Sequence, residues 1–445
     1  MSASVALPTL ATGLDRAVAA ARPELLGRVR SAVGLGVEVT GIRCAVGDLL
    51  HVELPAGTQL PAEVVGVADG VAQCMPLAHP EGLGAGLVVR SAGRLRVPAG
   101  PELLGRVVDG LGRPVDGRGP VAAPLVEVAA EPPSAMLRAR VSEPLPLGVR
   151  ALDTLVPAGK GQRFGLFAGS GVGKSSLLSM IARGTTAEVS VIALIGERGR
   201  EVREFLEDDL GPEGLARSVV VVATSDQPPL VRMRAAWTAT RIAEAFRDEG
   251  RDVVLMMDSL TRFAMAQREI GLSAGEPPAT RGYPPSVFAT LPRLLERAGP
   301  GVVGTITGIY TVLVEGDDHN EPVADAARSI LDGHVVLDRR LATSGHFPSI
   351  DVLESVSRVV GRVTTPEQRA DATVLRRLMG ALRDSRDLVD VGAYVPGSNA
   401  LVDAALARQD AIDLFLRQSV GDVAPAEQAW TMLRQLVQGV PGAAA

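Results

Sequence analysis

The chain has 445 residues with 46% apolar and 22% charged side chains, which at roughly 150 residues per domain predicts about three globular domains and excludes a small disulfide-held fold or a disordered polypeptide. A formal net charge of −6 supplies no long-range attraction for nucleic acid or an anionic membrane. Two cysteines, Cys44 and Cys74, and five histidines without ligand-like spacing support neither a disulfide framework nor a zinc site, as expected in a reducing cytoplasm.

The first residues, MSASVALPTL, carry no basic stretch ahead of an apolar core, so a secretory leader is not expected. Leu7, Leu10, Leu14, Ala17, Val18, Ala21 and Leu25 recur at three and four, as one face of a short helix would. That helix either packs on its own domain or binds a partner. Residues 27–92 change to short β-branched runs between Gly, Pro and Asp (GRVRSAV, GVEVTG, DLLHVEL, AEVVGV, VAQCMPL, GLVVR), the texture of a small barrel, with Ala68-Asp69-Gly70 as a hairpin connection. Residues 93–148 are rich in Pro and Gly and read as ordered connecting loops.

From Arg163 the apolar runs FGLFAG, VSVIALIG, SVVVVAT, DVVLMMD and TITGIYTVLV alternate with helical periodicity, which predicts a parallel sheet covered on both faces. The uncharged run 298–314 is short for a membrane span and fits a buried strand. In EVREFLEDDL, Val202, Phe205, Leu206 and Leu210 share a helical face. Beyond about residue 361 the strands give way to helical stretches. The expected organisation is a helical segment 1–24, a β-barrel 25–93, an α/β core 94–360 and a C-terminal helical domain 361–445.

Only two of the 45 basic residues are lysine, Lys160 and Lys174. Lys174 closes AGSGVGKS, residues 168–175, between the strand FGLF and the helical SLLSMIA. A strand, a glycine-rich turn and a helix in that order point backbone N–H groups at phosphate oxygens, at a helix end whose dipole also favours an anion. Gly169, Ser170, Gly171, Val172, Gly173, Lys174, Ser175 and Ser176 are the candidate phosphate cradle, with Lys174 reaching the β and γ phosphates and Ser175 ligating magnesium. Asp258 ends DVVLMMD, where a carboxylate can hold magnesium; its alternative is to cap the following helix. Glu197, in GER after VSVIALIG, can activate the attacking water or belong to a solvated helix face. Lys160, in PAGKGQR, suggests no chemistry.

The strings GLFAGSGVGKSSLL, ALIGERGREVREFLEDDL, VVVVATSDQPPL, VLMMDSLTRFAMAQREIGLSAGEPPATRGYPPSVFATLPRLLERAG, YTVLVEGDDHNEPVADAARSILDGHVVLDRRLA and ESVSRV resemble the flagellar protein-export ATPase over about residues 25–420. Virulence-type type III secretion ATPases are nearly as similar, and rotary ATP synthase catalytic subunits are more distant. The resemblance implies a RecA-like phosphate-loop core between barrel and helical domain, and a cytoplasmic homohexamer binding ATP and Mg2+ at subunit interfaces. Hydrolysis would energise export at the cytoplasmic face of a type III apparatus. It further implies Glu197 as the water-activating residue, Arg198, Glu201 and Arg262 lining the same site, Arg358 as an arginine finger across the interface, and Phe347 and Tyr394 beside the adenine rather than in a packed core. Implied partners are a stator-like regulator at the N-terminus, an export gate and central stalk at the C-terminal domain, and export substrates with their chaperones. Membrane association would come only through those partners. Two other classes compete: a hexameric nucleic-acid translocase and a nucleotide-binding but inactive subunit. The absence of Phe, Tyr and Trp from residues 1–163 removes the stacking platform a translocase barrel needs, and the Lys174, Glu197, Asp258 set argues against the second.

Overall fold

The computed structural model describes residues 25–134, 136–314 and 321–440, so the helix expected from residue 7 lies outside the described residues. The chain divides at Arg94/Leu95 into two compact units.

In the first unit six antiparallel strands close a barrel in the order β1-β2-β5-β4-β3-β6: β1 Gly27–Val33, β2 Gly36–Thr40, β3 Asp48–Glu53, β4 Gln59–Ala68, β5 Val71–Pro76 and β6 Val88–Arg94. Inward positions alternate along each strand. Val29, Val37, Val39, Leu50, Val52, Val64, Cys74 and Val89 fill the interior. Asp69 and Gly70, with φ of 52° and 74°, turn β4 into β5 by the two-residue geometry whose twist suits a tight hairpin.

In the second unit β7 (Arg96–Pro98) pairs with β9 (Leu125–Glu127), and a nine-stranded sheet carries the core. Its main path is β17-β16-β10-β15-β13-β11-β12-β8, comprising β8 Val107–Asp109, β10 Arg163–Ala168, β11 Val189–Glu197, β12 Ser218–Thr224, β13 Asp252–Asp258, β15 Thr305–Leu313, β16 Gly333–Leu337 and β17 Ile350–Ser357; β14 (Gly299–Pro300) pairs with β15. Seven strands run parallel, and β17 and β14 run against them. The strands are buried almost without alternation, β11 through eight successive residues, because helices cover them. Leu177, Leu178 and Ile181 of the helix Lys174–Gly184 pack in one cluster with Leu166, Leu194 and Met256, while the helix Pro229–Asp248 lies along β11, β12 and β13.

The stretch expected to be only connecting loop contributes an edge strand: β8 pairs with β12 through Val107↔Val220 and Val108↔Val221. Three residues between glycines are too few to show a period. The C-terminal helices, Pro366–Asp390, Ala400–Leu406, Gln409–Leu416 and Ala426–Val437, share the same apolar cluster through Leu375, Leu378, Ile412, Phe415 and Leu433. Among the described residues no helix is long and apolar enough to cross a membrane. The two cysteines are free, and Lys160 makes ion pairs to Asp252 at 2.8 Å and Glu143 at 3.1 Å.

Candidate active site

Parallel strands bring their C-terminal ends to one edge of the sheet, and ligands of open α/β sheets bind there. At that edge β10 ends at Ala168, the chain turns through residues 169–173, and the helix begins at Lys174. Gly171 and Gly173 hold φ of 74° and 89°, the left-handed region where a side chain is strained. Val172 is buried, and its carbonyl accepts a hydrogen bond from Ser349 Oγ at 2.6 Å, which fixes the turn from below. Gly169 is buried too, while Ser170, Gly171 and Ser175 face solvent and Gly173 and Ser176 are half-buried. The result is a helix N-terminus with an accessible row of backbone donors.

Lys174 reaches across the sheet. Its Nζ lies 2.5 Å from Asp258 Oδ1, at the end of β13, and 3.6 Å from Glu197 Oε1, at the end of β11. Asp258 Oδ1 also accepts from Thr311 Oγ1 at 2.8 Å. The helix-capping role open to Asp258 is filled by Ser259, whose side chain accepts from the Arg262 N–H. Burial pulls the Lys174 ammonium down, but Asp258 and Glu197 outweigh it and its pKa is raised. Burial pushes the Glu197 carboxyl up to about 7 against the opposing pull of Lys174, with Asp258 and a hydrogen bond to Glu201 adding to the rise. A carboxyl of that acidity is a competent general base near neutral pH.

The donor set fits magnesium. Ser175 offers a hydroxyl and Asp258 a carboxylate, both hard oxygen ligands, and among the described residues no group of three His, Cys, Asp or Glu side chains could hold a metal alone. Phosphates and water would complete the shell, as magnesium prefers. Arg262 leans its side chain on Gly196, where an added Cβ would come within 3.0 Å of the Arg262 Cβ, and its buried Nε has no hydrogen-bond partner. Arg198, by contrast, points to solvent with 79% of its side chain exposed and donates to Glu201 Oε1 at 3.1 Å.

Phe347 is 44% exposed, and its ring lies 3.3 Å from the position of a Cβ on Gly173. It thus walls the helix N-terminus and leaves one side open. The Tyr394 hydroxyl donates to Asp403 Oδ1, on the helix Ala400–Leu406, at 2.9 Å, with Asn399 O at 3.1 Å. Arg358 is exposed and follows β17, whose first residue Ile350 pairs with Leu337, itself paired with Ala168, and whose last, Ser357, pairs with Gly333. The span from Leu337 to Gly333 is four steps of about 3.3 Å, so Arg358 leaves β17 about 13 Å along the sheet from the strand end that leads into its own phosphate loop. Thr311 and Ser349 escaped the sequence reading, since a lone hydroxyl in a strand or loop carries no spacing signal.

The nucleotide-binding domain of the ATP synthase alpha/beta family matches residues 148–357, and the C-terminal domain of the type III secretion ATPase EscN matches residues 364–435. The chain is 50% identical to the flagellum-specific ATP synthase of Bacillus subtilis strain 168, across 92% of this chain and 94% of that protein. It is equally 50% identical to the type 3 secretion system ATPase of Xanthomonas euvesicatoria, across 96% and 97%. The assembled ATPase EscN of the enteropathogenic E. coli type III secretion system superposes with a TM-score of 0.88 at 43% identity, over 92% of this chain and all of that one, and with a TM-score of 0.86 in its complex with the central stalk EscO. With the phosphate loop, lysine and two strand-end carboxylates converging as described, the chain belongs to the family of flagellar and type III secretion ATPases and is an ATP-hydrolysing enzyme.

Proposed function

We propose that the chain is a magnesium-dependent ATPase that energises protein export through a flagellar type III apparatus, working as a homohexamer. The observation that carries the catalytic part is the meeting of Lys174, Glu197 and Asp258 at the ends of neighbouring sheet elements beside the glycine turn. Backbone N–H groups of residues 169–174 bind the phosphate oxygens, and Lys174 exchanges its contact with Asp258 for the β and γ phosphates. Ser175 and Asp258 are the residues that hold magnesium, which when bound neutralises charge on those phosphates. Glu197 Oε1 orients the attacking water and takes its proton, leaving ADP and phosphate. Arg262 Nε, buried and without a partner, is a donor free for the same phosphates. Phe347 flanks the adenine; Tyr394 is the second aromatic assigned to that role.

Arg358 serves a neighbouring copy. Its place at the far end of β17 supports a finger that acts in trans, so ATP sits between subunits and a homo-oligomer supplies both Glu197 and Arg358. The assembled state of EscN and its complex with a central stalk support an oligomer with a stalk partner; the proposed seat of that stalk is the C-terminal helices of a ring. A stator-like regulator, the export gate, and substrates with their chaperones complete the proposed partners at the cytoplasmic face of the apparatus. Export of virulence effectors is the second reading, favoured by the equal identity to a type 3 secretion system ATPase. Deleting the gene and scoring motility against effector secretion tests the choice: loss of motility alone supports the flagellar reading, and loss of effector secretion with intact motility overturns it.

A further inference from the structure

Gln418 lies between the helices Gln409–Leu416 and Ala426–Val437 with 4% of its surface exposed, and no step of hydrolysis uses it. Its backbone N–H donates to the carbonyl of Phe347 at 2.9 Å. Its Oε1 accepts from the Arg150 N–H at 3.0 Å, and its Nε2 donates to the carbonyls of Gly148 and Asp422, both at 2.8 Å. Side-chain oxygen and nitrogen are both committed to backbone, and a buried amide so satisfied fixes the segments it joins.

The same segment is fastened at a second place. Arg183, in the last turn of the phosphate-loop helix, donates to the carbonyl of Val420, and the Ala424 N–H donates to Gly148 O at 3.1 Å. Arg150 donates to the carbonyls of Phe415, at 2.8 Å, and Arg417. Gly148, at φ 78°, packs so closely on Gly184 that an added Cβ would fall 2.6 Å from the Gly184 Cα. Residues 417–424 therefore strap the C-terminal end of the phosphate-loop helix to the backbone of Phe347, whose ring stands at that helix's N-terminal end. The strap leads directly into the helix Ala426–Val437.

We infer that Gln418 is a positioning residue for the wall that receives the purine ring, holding Phe347 through its carbonyl, so that affinity for the base of ATP depends on how the 417–424 strap is seated. This rests on the reading of Phe347 as the adenine-flanking residue. The phosphate loop has a further anchor in the bond from Ser349 Oγ to the Val172 carbonyl, which does not involve Gln418, so the loss of the Gln418 side chain is expected to weigh on the base wall more than on the phosphate contacts.

The test measures kcat and KM for Mg-ATP, and the inhibition constant of inorganic tripolyphosphate, in Gln418→Ala, Gln418→Glu, Phe347→Ala and the double alanine variant. Gln418→Ala is expected to raise KM roughly fivefold to tenfold, with kcat within about twofold and tripolyphosphate inhibition unchanged. Gln418→Glu keeps the acceptor for Arg150 but turns an acceptor oxygen toward the Gly148 and Asp422 carbonyls, so its KM should rise at least as far as in the alanine variant. The double variant should be no worse than Phe347→Ala alone, because both act on one wall. KM increases that multiply in the double variant, tripolyphosphate inhibition weakened as much as ATP, or a lower kcat at unchanged KM would each overturn the role of Gln418. A parental KM in Phe347→Ala refutes the base wall itself, and the inference with it; a raised KM there beside a parental KM in Gln418→Ala refutes only the inference.

Discussion

At Glu197 two influences oppose each other: burial favours the protonated carboxyl, the Lys174 ammonium favours the charged one, and the balance settles at about 7. Below that pH the residue carries its proton and cannot take another from water, so kcat/KM of the free enzyme is expected to fall as pH drops through about 7. Glu197→Gln keeps the size and removes the basic oxygen. ATP should still bind, turnover should drop roughly a hundredfold or more, and that acid limb should vanish from the pH–rate profile. Equilibrium binding beside steady-state rates across pH checks both; equal turnover in variant and parent contradicts the assignment. Lys174→Ala differs in kind, since it deprives the phosphates of a charge-assisted donor and takes from Asp258 its cationic partner while Thr311 stays, and it should abolish hydrolysis.

Among the elements, the turn at residues 147–148 bears on both ends of the phosphate-loop helix, and Asp153 holds it. This buried carboxylate, on the helix Arg150–Leu155, accepts the Leu147 and Gly148 N–H groups at 2.7 and 2.9 Å. Asp153→Ala leaves two buried donors unpaired, at about 1–3 kcal/mol each, whereas Asp153→Asn keeps one acceptor and should cost less. Urea unfolding of the two variants measures the difference, and equal midpoints would remove the turn from this account.

The strands that end in Glu197 and Asp258, and the strand that leads through the glycine turn to Lys174, were legible because their apolar runs are long and each is followed or closed by a chemically distinctive residue. The barrel was legible from its alternation and from Asp69-Gly70. What stayed hidden rests on contacts between distant segments. β8 is three residues long, Thr311 and Ser349 are single hydroxyls whose partners lie 53 and 177 residues away, and Gln418 acts through backbone carbonyls that leave no pattern in sequence.

For the molecule as a whole, the proposed role of Arg358 in trans would make hydrolysis a property of neighbours. Specific activity at saturating Mg-ATP should rise with protein concentration through the range in which copies assemble, since such an arginine is worth on the order of a thousandfold or more. Mixing Arg358→Ala with Glu197→Gln chains should recover turnover at interfaces that pair an intact Glu197 with an intact Arg358. Two inactive parents that stay inactive together would count against the arrangement. The edge strand β8 sets a further condition, on where the chain can be shortened. A polypeptide starting at residue 148 would uncover the hydrogen-bonding edge of β12, whose run SVVVVAT is then open to pairing with other molecules. Light scattering should find that fragment aggregated, while one starting at Leu95, which retains β8, stays dispersed; the safe cleavage point for an isolated ATPase unit is the end of the barrel, more than fifty residues before the recognisable nucleotide-binding sequence begins.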